Sequence, residues 1–144
     1  MAITEHILTG SAVEDCLNDI ASLRIEIFRE FPYLYDGHRE DELNYLKLYS
    51  IPESFVIIIN DGEKVVGAAT GMPLRHEVTK LVEPFCGTSY PVEDVYYVGE
   101  LLFYPEHRNH GMGMQVVRMV EEQVRSFSIY QYLTCVTVSR PVDH

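Results

Sequence analysis

Apolar positions recur at intervals of three and four over residues 13–31, and this spacing predicts a helix with one buried face. Ser11 is the expected N-cap, and Pro32 ends the helix because the residue before a proline is biased away from helical geometry. A second, shorter helix is predicted over residues 40–49. Residues 3–8 alternate weakly between apolar and polar side chains, which indicates a first strand.

A hairpin is predicted in the middle of the chain. Residues 55–60 are a compact β-branched run, and they are followed by Asp61 and Gly62, a strong turn signal. Residues 64–70 are therefore the returning strand. Residues 71–91 show no clear periodicity, and we expect them to be irregular, with one helical turn near their centre.

The strongest predicted strand covers residues 95–104, which are nearly all large and apolar. Such a run is typical of a strand that is central and covered on both faces. A helix over residues 111–127 and a last strand over residues 130–138 follow it. Because a strand–helix–strand unit of this kind is a right-handed crossover between parallel neighbours, the predicted class is α/β, with a mixed central sheet flanked by helices.

Composition favours one globular domain over residues 1–144, with 47% hydrophobic and 23% charged residues. The longest apolar runs are far too short to span a membrane, and the amino terminus lacks the pattern of a signal peptide. Cys16, Cys86 and Cys135 are odd in number and scattered, so they predict neither a disulfide framework nor a zinc site. We expect small buried cysteines in a reducing cytoplasm, no metal and no membrane partner.

The net charge of −11 excludes one class of partner. Nucleic acid is excluded, because its phosphates require a patch of Lys and Arg side chains. An acidic surface favours the approach of a cationic substrate such as an amine. Many proteins are acidic for solubility alone, so the charge does not select the amine by itself.

Candidate chemistry lies between the long strand and its helix, in the segment PEHRNHGMGM of residues 105–114. Free amides and the helix dipole at such a helix start suit a phosphate group. Gly111 and Gly113 lack a Cβ, which allows an oxygen to approach the backbone, and Arg108 adds a positive charge. The segment is not a Rossmann fingerprint, because Val116 stands where the third glycine belongs, and it is not a P-loop.

Residues 101–113 resemble the signature of the GNAT superfamily of N-acetyltransferases. That signature is a hydrophobic strand, often followed by a proline and an acidic residue, and then Arg/Gln-x-x-Gly-x-Gly/Ala at the start of a helix. Arg108, Gly111 and Gly113 occupy its three defining positions. The order of elements is also similar over nearly the whole chain. The resemblance implies a transferase in which a parallel strand–helix–strand pair forms the CoA site.

The resemblance also implies acetyl-CoA as the co-substrate. Its pantetheine arm would lie along the long strand, in a wedge that opens where this strand splays from the last one. The amide of Phe103 would polarise the thioester carbonyl, and the pyrophosphate would lie on the amides that follow Arg108. The implied cofactor-binding residues are Leu101, Leu102, Phe103, Arg108, Asn109, His110, Gly111, Met112, Gly113 and Met114.

Glu100 is the candidate catalytic base, because it is the only carboxylate in the long strand. An amine must lose a proton as it attacks the thioester, and burial would raise the pKa of this carboxylate into a useful range. The alternative is that Glu100 only satisfies backbone groups or pairs with an arginine such as Arg75.

The resemblance places Tyr33, Tyr35 and Asp36 on the acceptor side, where aromatic walls and one carboxylate would suit an amine. The alternative is that these tyrosines only pack against the end of the first helix. His107 and His110 lie beside Arg108 without a zinc-binding pattern, so they are expected to be exposed loop residues.

Relatives in the family usually continue past the last strand with a helix and two further strands. The domain is therefore expected to be incomplete at its carboxyl end, and the general acid stays unassigned. A homodimer would cover the edge of the last strand. The acceptor, a small-molecule amine or a peptide, is not identified by the sequence. The alternative functions are a non-catalytic acyl-CoA binding or sensing domain and a structural domain that only keeps the fold.

Overall fold

A sheet forms the middle of the molecule, and helices cover both of its faces. In the computed structural model, which describes residues 2–30 and 33–136, five strands form this sheet. The main elements are β1 (Ile3–Thr9), α1 (Leu17–Arg29), α2 (Arg39–Leu46), β2 (Phe55–Asp61), β3 (Lys64–Pro73), α3 (Thr79–Val82), β4 (Val95–Phe103), α4 (Met112–Ser126) and β5 (Tyr132–Thr134).

The strands lie in the sheet in their order along the chain. The three junctions from β1 to β4 are antiparallel, and the junction between β4 and β5 is parallel. Helix α4 connects these two parallel strands. The mixed α/β class and the predicted strand–helix–strand pair are thereby confirmed.

The β2 strand shows why the apolar runs of this sequence are continuous. Phe55, Ile57 and Ile59 belong to the core beneath α4, whereas Val56 and Ile58 belong to the core beneath α1. Successive side chains of a strand point to opposite faces, and here both faces are covered, so both sets must be apolar. The molecule therefore has two cores, one on each side of the sheet.

The first helix begins later than the sequence predicts. Residues Gly10–Cys16 form a 3-10 helix, α1 starts at Leu17, and Ser11 caps neither of them. Val13 and Cys16 are still buried, because a spacing of three residues also fits one face of a 3-10 helix. The apolar pattern therefore identified the buried face correctly and the type of its first turns wrongly.

Other boundaries differ by a few residues. Helix α2 ends at Leu46 and continues as the 3-10 turn Lys47–Ser50. Strand β3 extends to Pro73, into the segment expected to be irregular. The predicted helix stop at Pro32 and the predicted end of the last strand, Thr137 and Val138, lie outside the described residues. No helix in the described ranges has the length and hydropathy that crossing a membrane requires.

Candidate active site

A cleft opens where β4 and β5 stop pairing. Within the described residues the two strands pair only over Val95–Tyr97 and Tyr132–Thr134. A cleft of about 560 Å³ opens beyond these pairs, and residues 98–102 and 133–136 line it. The wedge expected from the sequence is therefore present between the two parallel strands.

The cleft is lined from both layers of the molecule. Phe28 contributes from the end of α1 and Tyr33 from the loop that follows it, and Val117 and Val120 contribute from α4. A second pocket of about 190 Å³ adjoins it, and Arg108 lines this pocket together with part of β4. A long ligand that enters along β4 can therefore contact residues from both faces of the sheet.

A bulge at Gly99 directs Glu100 toward the α1 layer. Thr70 of β3 pairs with Glu100, whereas the next residue, Gly71, pairs with Val98, so Gly99 is the extra residue in β4. Val98 packs in the α4 layer. Strict alternation would send Glu100 to that same face, and the inserted residue reverses it.

Only a glycine fits at this bulge. A Cβ on Gly99 would lie 1.8 Å from the hydroxyl oxygen of Tyr49 and 2.9 Å from Oγ1 of Thr70. Tyr49 is fully buried, so its ring cannot simply move away. The absence of one side chain therefore permits the bulge that orients Glu100.

Glu100 is buried with an arginine as its partner. It is 4% exposed, and its Oε1 accepts a hydrogen bond from Nη1 of Arg24. The Nε of the same guanidinium donates to Oε2 of Glu42, which is also 4% exposed. The sequence named Arg75 as a possible partner, but Arg75 instead binds Glu53 and Tyr130.

Burial raises the pKa of Glu100 from 4.5 to about 7. The guanidinium of Arg24 opposes this rise, and the negative charges of Glu42 and Glu77 add to it. A carboxylate with a pKa near 7 can accept a proton at neutral pH and release it again. The sequence-based expectation was that burial would raise the pKa of Glu100, and the direction and cause of the shift are the same in the structure.

Six consecutive backbone amides are available before and within the first turn of α4. Asn109 and Gly111 have φ of 64° and 78°, which turns the chain sharply into the helix at Met112. The amides of residues 109–114 donate no hydrogen bond to any described residue. Such a row of free donors at a helix N-terminus suits a phosphate. Van der Waals space is also open, since a Cβ on Gly111 or Gly113 would meet no atom within 4 Å.

The open edge of β4 lies next to these amides. The amide of Tyr104 donates to the carbonyl of Val66 in β3 at 3.0 Å. Because backbone groups alternate between the two edges of a strand, the amides of Phe103 and Leu101 point away from β3. Arg108 binds at this edge, with its Nε donating to the carbonyl of Phe103 at 3.0 Å.

The three predicted acceptor residues lie in different surroundings. Tyr33 lines the cleft and packs against Phe28 at 4.8 Å between ring centroids. Tyr35 and Asp36 follow in the same loop but do not line the cleft, and the exposed Asp36 lies 3.6 Å from Arg29. The structure therefore brings Tyr33 together with Glu100, whereas Tyr35 and Asp36 lie further out.

Two expectations about single residues were wrong. His107 is buried rather than exposed, and its Nε2 lies 3.1 Å from Asp61 at the β2–β3 turn. His110 is exposed as expected. Of the cysteines only Cys16 is buried, whereas Cys86 and Cys135 are exposed, and Cys135 lines the cleft.

Sequence reasoning missed Arg24 and Glu42. Arg24 lies four residues after Ile20 and three before Ile27, so it is a single charge within the apolar stripe of α1. That placement was a usable signal, because an isolated charge on a buried face needs a buried partner. Within the described ranges, no group of three or more His, Cys, Asp or Glu side chains is arranged to hold a metal ion.

A crossover of parallel strands, a cleft where they separate, and free amides at the start of the helix that follows define a mixed α/β domain. The sequence profile of the Acetyltransferase (GNAT) family matches residues 19–142. The chain belongs to this family. No curated protein sequence matches it.

Solved structures share the fold at low sequence identity. The aminoglycoside N-acetyltransferase AAC(6')-Iy in complex with CoA is 14% identical, over 94% of this chain and 77% of that one, with a TM-score of 0.63. The ribosomal-protein-alanine N-acetyltransferase of Brucella melitensis is 14% identical, over 99% and 85%, with a TM-score of 0.63. A GCN5-related N-acetyltransferase of Ralstonia eutropha is 16% identical, over 99% of both chains, with a TM-score of 0.62.

Proposed function

We propose that this protein transfers an acetyl group from acetyl-CoA to a primary amine of a small molecule or a peptide. The observation that carries the proposal is a buried carboxylate, Glu100, in a cleft between parallel strands, beside a row of free amides. Two of the solved relatives are named for acceptors that carry amines, an aminoglycoside and a ribosomal-protein alanine. The net charge of −11 also favours a cationic acceptor.

The ligand-binding part of the proposal assigns acetyl-CoA to the open edge of β4. Its pyrophosphate would accept hydrogen bonds from the free amides of residues 109–114, with the exposed Arg108 beside them. Its pantetheine arm would contact the outward amides of Leu101 and Phe103, and Leu102 would pack below. The bound thioester supplies an activated acetyl group with a good leaving group.

In the chemical step, the nitrogen of a neutral amine forms a bond to the acetyl carbon while the carbon–sulfur bond breaks. The amide of Phe103 would stabilise the negative charge that develops on the carbonyl oxygen. Glu100 would accept the proton that the amine loses, directly or through a water molecule. Tyr130 and Tyr132 do not line the cleft, so neither is assigned as the acid that protonates the thiolate.

Tyr33 would form an aromatic wall for the acceptor. Tyr35 and Asp36, further along the same loop, would contact only the distal part of a longer acceptor. The three free cysteines fit a reducing compartment, and we propose a cytoplasmic location. The edge of β5 is where a second copy would join if the protein forms a homodimer.

Calorimetric titration with acetyl-CoA tests the binding step, with desulfo-CoA and ATP as comparison ligands. We expect micromolar binding of both CoA forms and no binding of ATP. Gly113→Ala and Gly113→Leu locate the site, because a Cβ there would meet no described atom outside its own turn of helix within 4 Å. We expect both variants to melt no lower than the wild type. Gly113→Leu should bind acetyl-CoA more weakly, whereas Gly113→Ala, a residue that the family signature allows at this position, is the control and should bind it nearly as tightly. Unchanged affinity in Gly113→Leu would reject the assignment of the pyrophosphate to this loop.

A non-catalytic acyl-CoA binding domain is the second candidate, because the Glu100 carboxylate is already engaged by Arg24. Glu100→Gln separates the two functions. In an enzyme, the change should lower kcat by about a hundredfold or more and leave the Kd of acetyl-CoA nearly unchanged. Equal turnover with and without the carboxylate would remove Glu100 as the base.

A further inference from the structure

The guanidinium of Arg24 joins two buried carboxylates that belong to different elements. Its Nη1 donates to Glu100 of β4, and its Nε donates to Glu42 of α2. The ring centroids of Phe28 and Tyr45 lie 4.9 and 5.0 Å from the guanidinium carbon. The Arg24 side chain is 15% exposed, and both carboxylates are at most 4% exposed. The guanidinium is thus held between two aromatic rings and two carboxylates.

The charges of this group do not balance. Two carboxylates share one guanidinium, so the cluster carries an excess negative charge wherever both are ionised. A buried excess charge is costly, and the protein can relieve it by binding a proton on one carboxylate. How strongly Arg24 stabilises the charged form of Glu100 depends on how it divides its donors between the two carboxylates.

We propose that Arg24 is a positioning residue that holds Glu100 as an oriented carboxylate at the cleft, and that Glu42 competes with Glu100 for the same guanidinium. The inference rests on the proposed role of Glu100 as the base. It adds that α1 and α2, which do not otherwise take part in the chemistry, set the charge of that base. The environment of Glu100 therefore depends on the geometry of the Glu42–Arg24–Glu100 group as a whole.

Other titratable groups face Glu100 and remain the same in the variants below. They come from α2 and its following turn, from the segment after β3, and from β4: Tyr45, Tyr49, Glu77 and Tyr97. Burial raises the pKa of each of the three tyrosines. The tyrosines therefore stay neutral over the range in which Glu100 titrates, and the nearby carboxylate of Glu77 raises the pKa of Glu100.

Two substitutions should move the titration of Glu100 in opposite directions. Arg24→Gln removes its cationic partner, so its pKa should rise by about one unit or more. Glu42→Gln removes a competing negative charge and leaves Arg24 to Glu100 alone, so the pKa should fall. If Arg24 and Glu42 had only structural roles, replacing them would not shift the pKa of Glu100 in opposite directions.

The titration is read by carbon NMR of the glutamate side-chain carboxyls, with Glu100→Gln used to assign the signal. Arg24→Lys keeps one charge but loses the planar fork, and we expect a pKa between those of the wild type and Arg24→Gln. Arg24→Lys takes the place of Arg24→Gln in the experiment if the glutamine variant does not fold. Arg39→Gln is the matched control, because Arg39 also bridges α1 and α2, through Asn18 and Ser22, on the exposed side. It should leave the Glu100 signal unchanged.

Shifts of the same sign in Arg24→Gln and Glu42→Gln, or no shift in either, would overturn the proposal. The pH profile of kcat/KM is the second readout, and its acid limb should move with the NMR titration in each variant. If the titration moves while the acid limb stays in place, Arg24 does control the charge of Glu100, but Glu100 is not the base. That outcome rejects the proposed chemistry and supports the inference, so the two can fail separately.

Discussion

Glu100 lies where burial and a single shared arginine set its chemistry. The side chain is 4% exposed, and its pKa is raised from 4.5 to about 7. A carboxyl group with a higher pKa in the folded protein than in the unfolded chain binds protons more tightly when folded. Its contribution to stability is therefore complete below the unfolded value and is lost as the pH rises through the folded value.

Glu100→Gln should therefore stabilise the protein more at alkaline than at acid pH. The shift from 4.5 to about 7 corresponds to about 3 kcal/mol, and the neutral glutamine does not incur this loss. We expect the melting temperature of the variant, relative to the wild type, to increase between pH 5 and pH 8.

Glu63→Gln, at an exposed position in the β2–β3 turn, is the control and should give a flat difference over the same range. A Glu100→Gln difference that is equally flat would mean that the carboxyl group has no raised pKa in the folded protein. This measurement needs neither cofactor nor acceptor, so it examines the residue apart from the proposed activity.

At the scale of the elements, the packing of β4 against its neighbours decides on which face of the sheet Glu100 lies. Strand β4 could be placed from its apolar run, but the bulge at Gly99 could not, since glycine occurs in strands, turns and bulges alike. The bulge follows from the packing of Tyr49 and Thr70 against the β4 backbone. The face of the sheet on which Glu100 lies could therefore not be predicted from the sequence.

Gly99→Ala should destabilise the protein by about 1–3 kcal/mol, the usual range for overpacking a dense core. Its Cβ would lie 1.8 Å from the hydroxyl oxygen of Tyr49. Tyr49→Phe removes that oxygen, so the double variant should be more stable than the sum of the two single changes predicts. Denaturant unfolding of the four proteins measures this coupling, and strict additivity would contradict the steric account of the bulge.

At the scale of the whole molecule, the net charge repels an anionic ligand, whereas the local charges of the loop before α4 attract it. The chain carries −11, whereas the loop proposed to bind the anionic CoA presents free amides and Arg108. Repulsion from distant carboxylates acts before contact and is screened by salt, with a Debye length of about 10 Å at 0.1 M.

The association rate constant of CoA should therefore increase with salt, by a few-fold as the ionic strength rises from about 0.05 to 0.5 M. Stopped-flow fluorescence measures it, and uncharged S-acetyl-pantetheine is the control, with no expected dependence. A rate constant that falls with salt would mean that the positive field of the loop, and not the net charge, governs the encounter.

The sequence by itself determined much of this protein, for physical reasons. Periods of two and of three to four residues report which faces are buried, so the strands, the helices and the mixed α/β class could be predicted. The start of α4 followed from Gly111, because few other residues adopt its φ of 78°. The raised pKa of Glu100 followed from the apolar strand around it.

Only the tertiary structure decided which distant residues meet. Arg24 and Glu100 are 76 positions apart, and their contact depends on how α1 crosses the sheet, which no local pattern encodes. His107 likewise lies beside Asp61, which is 46 positions away along the chain. Periodicity reports the environment of a side chain, whereas partners are chosen by packing in three dimensions. The fold and the glycine loop before α4 could therefore be predicted along the chain, and the charge network around Glu100 could not.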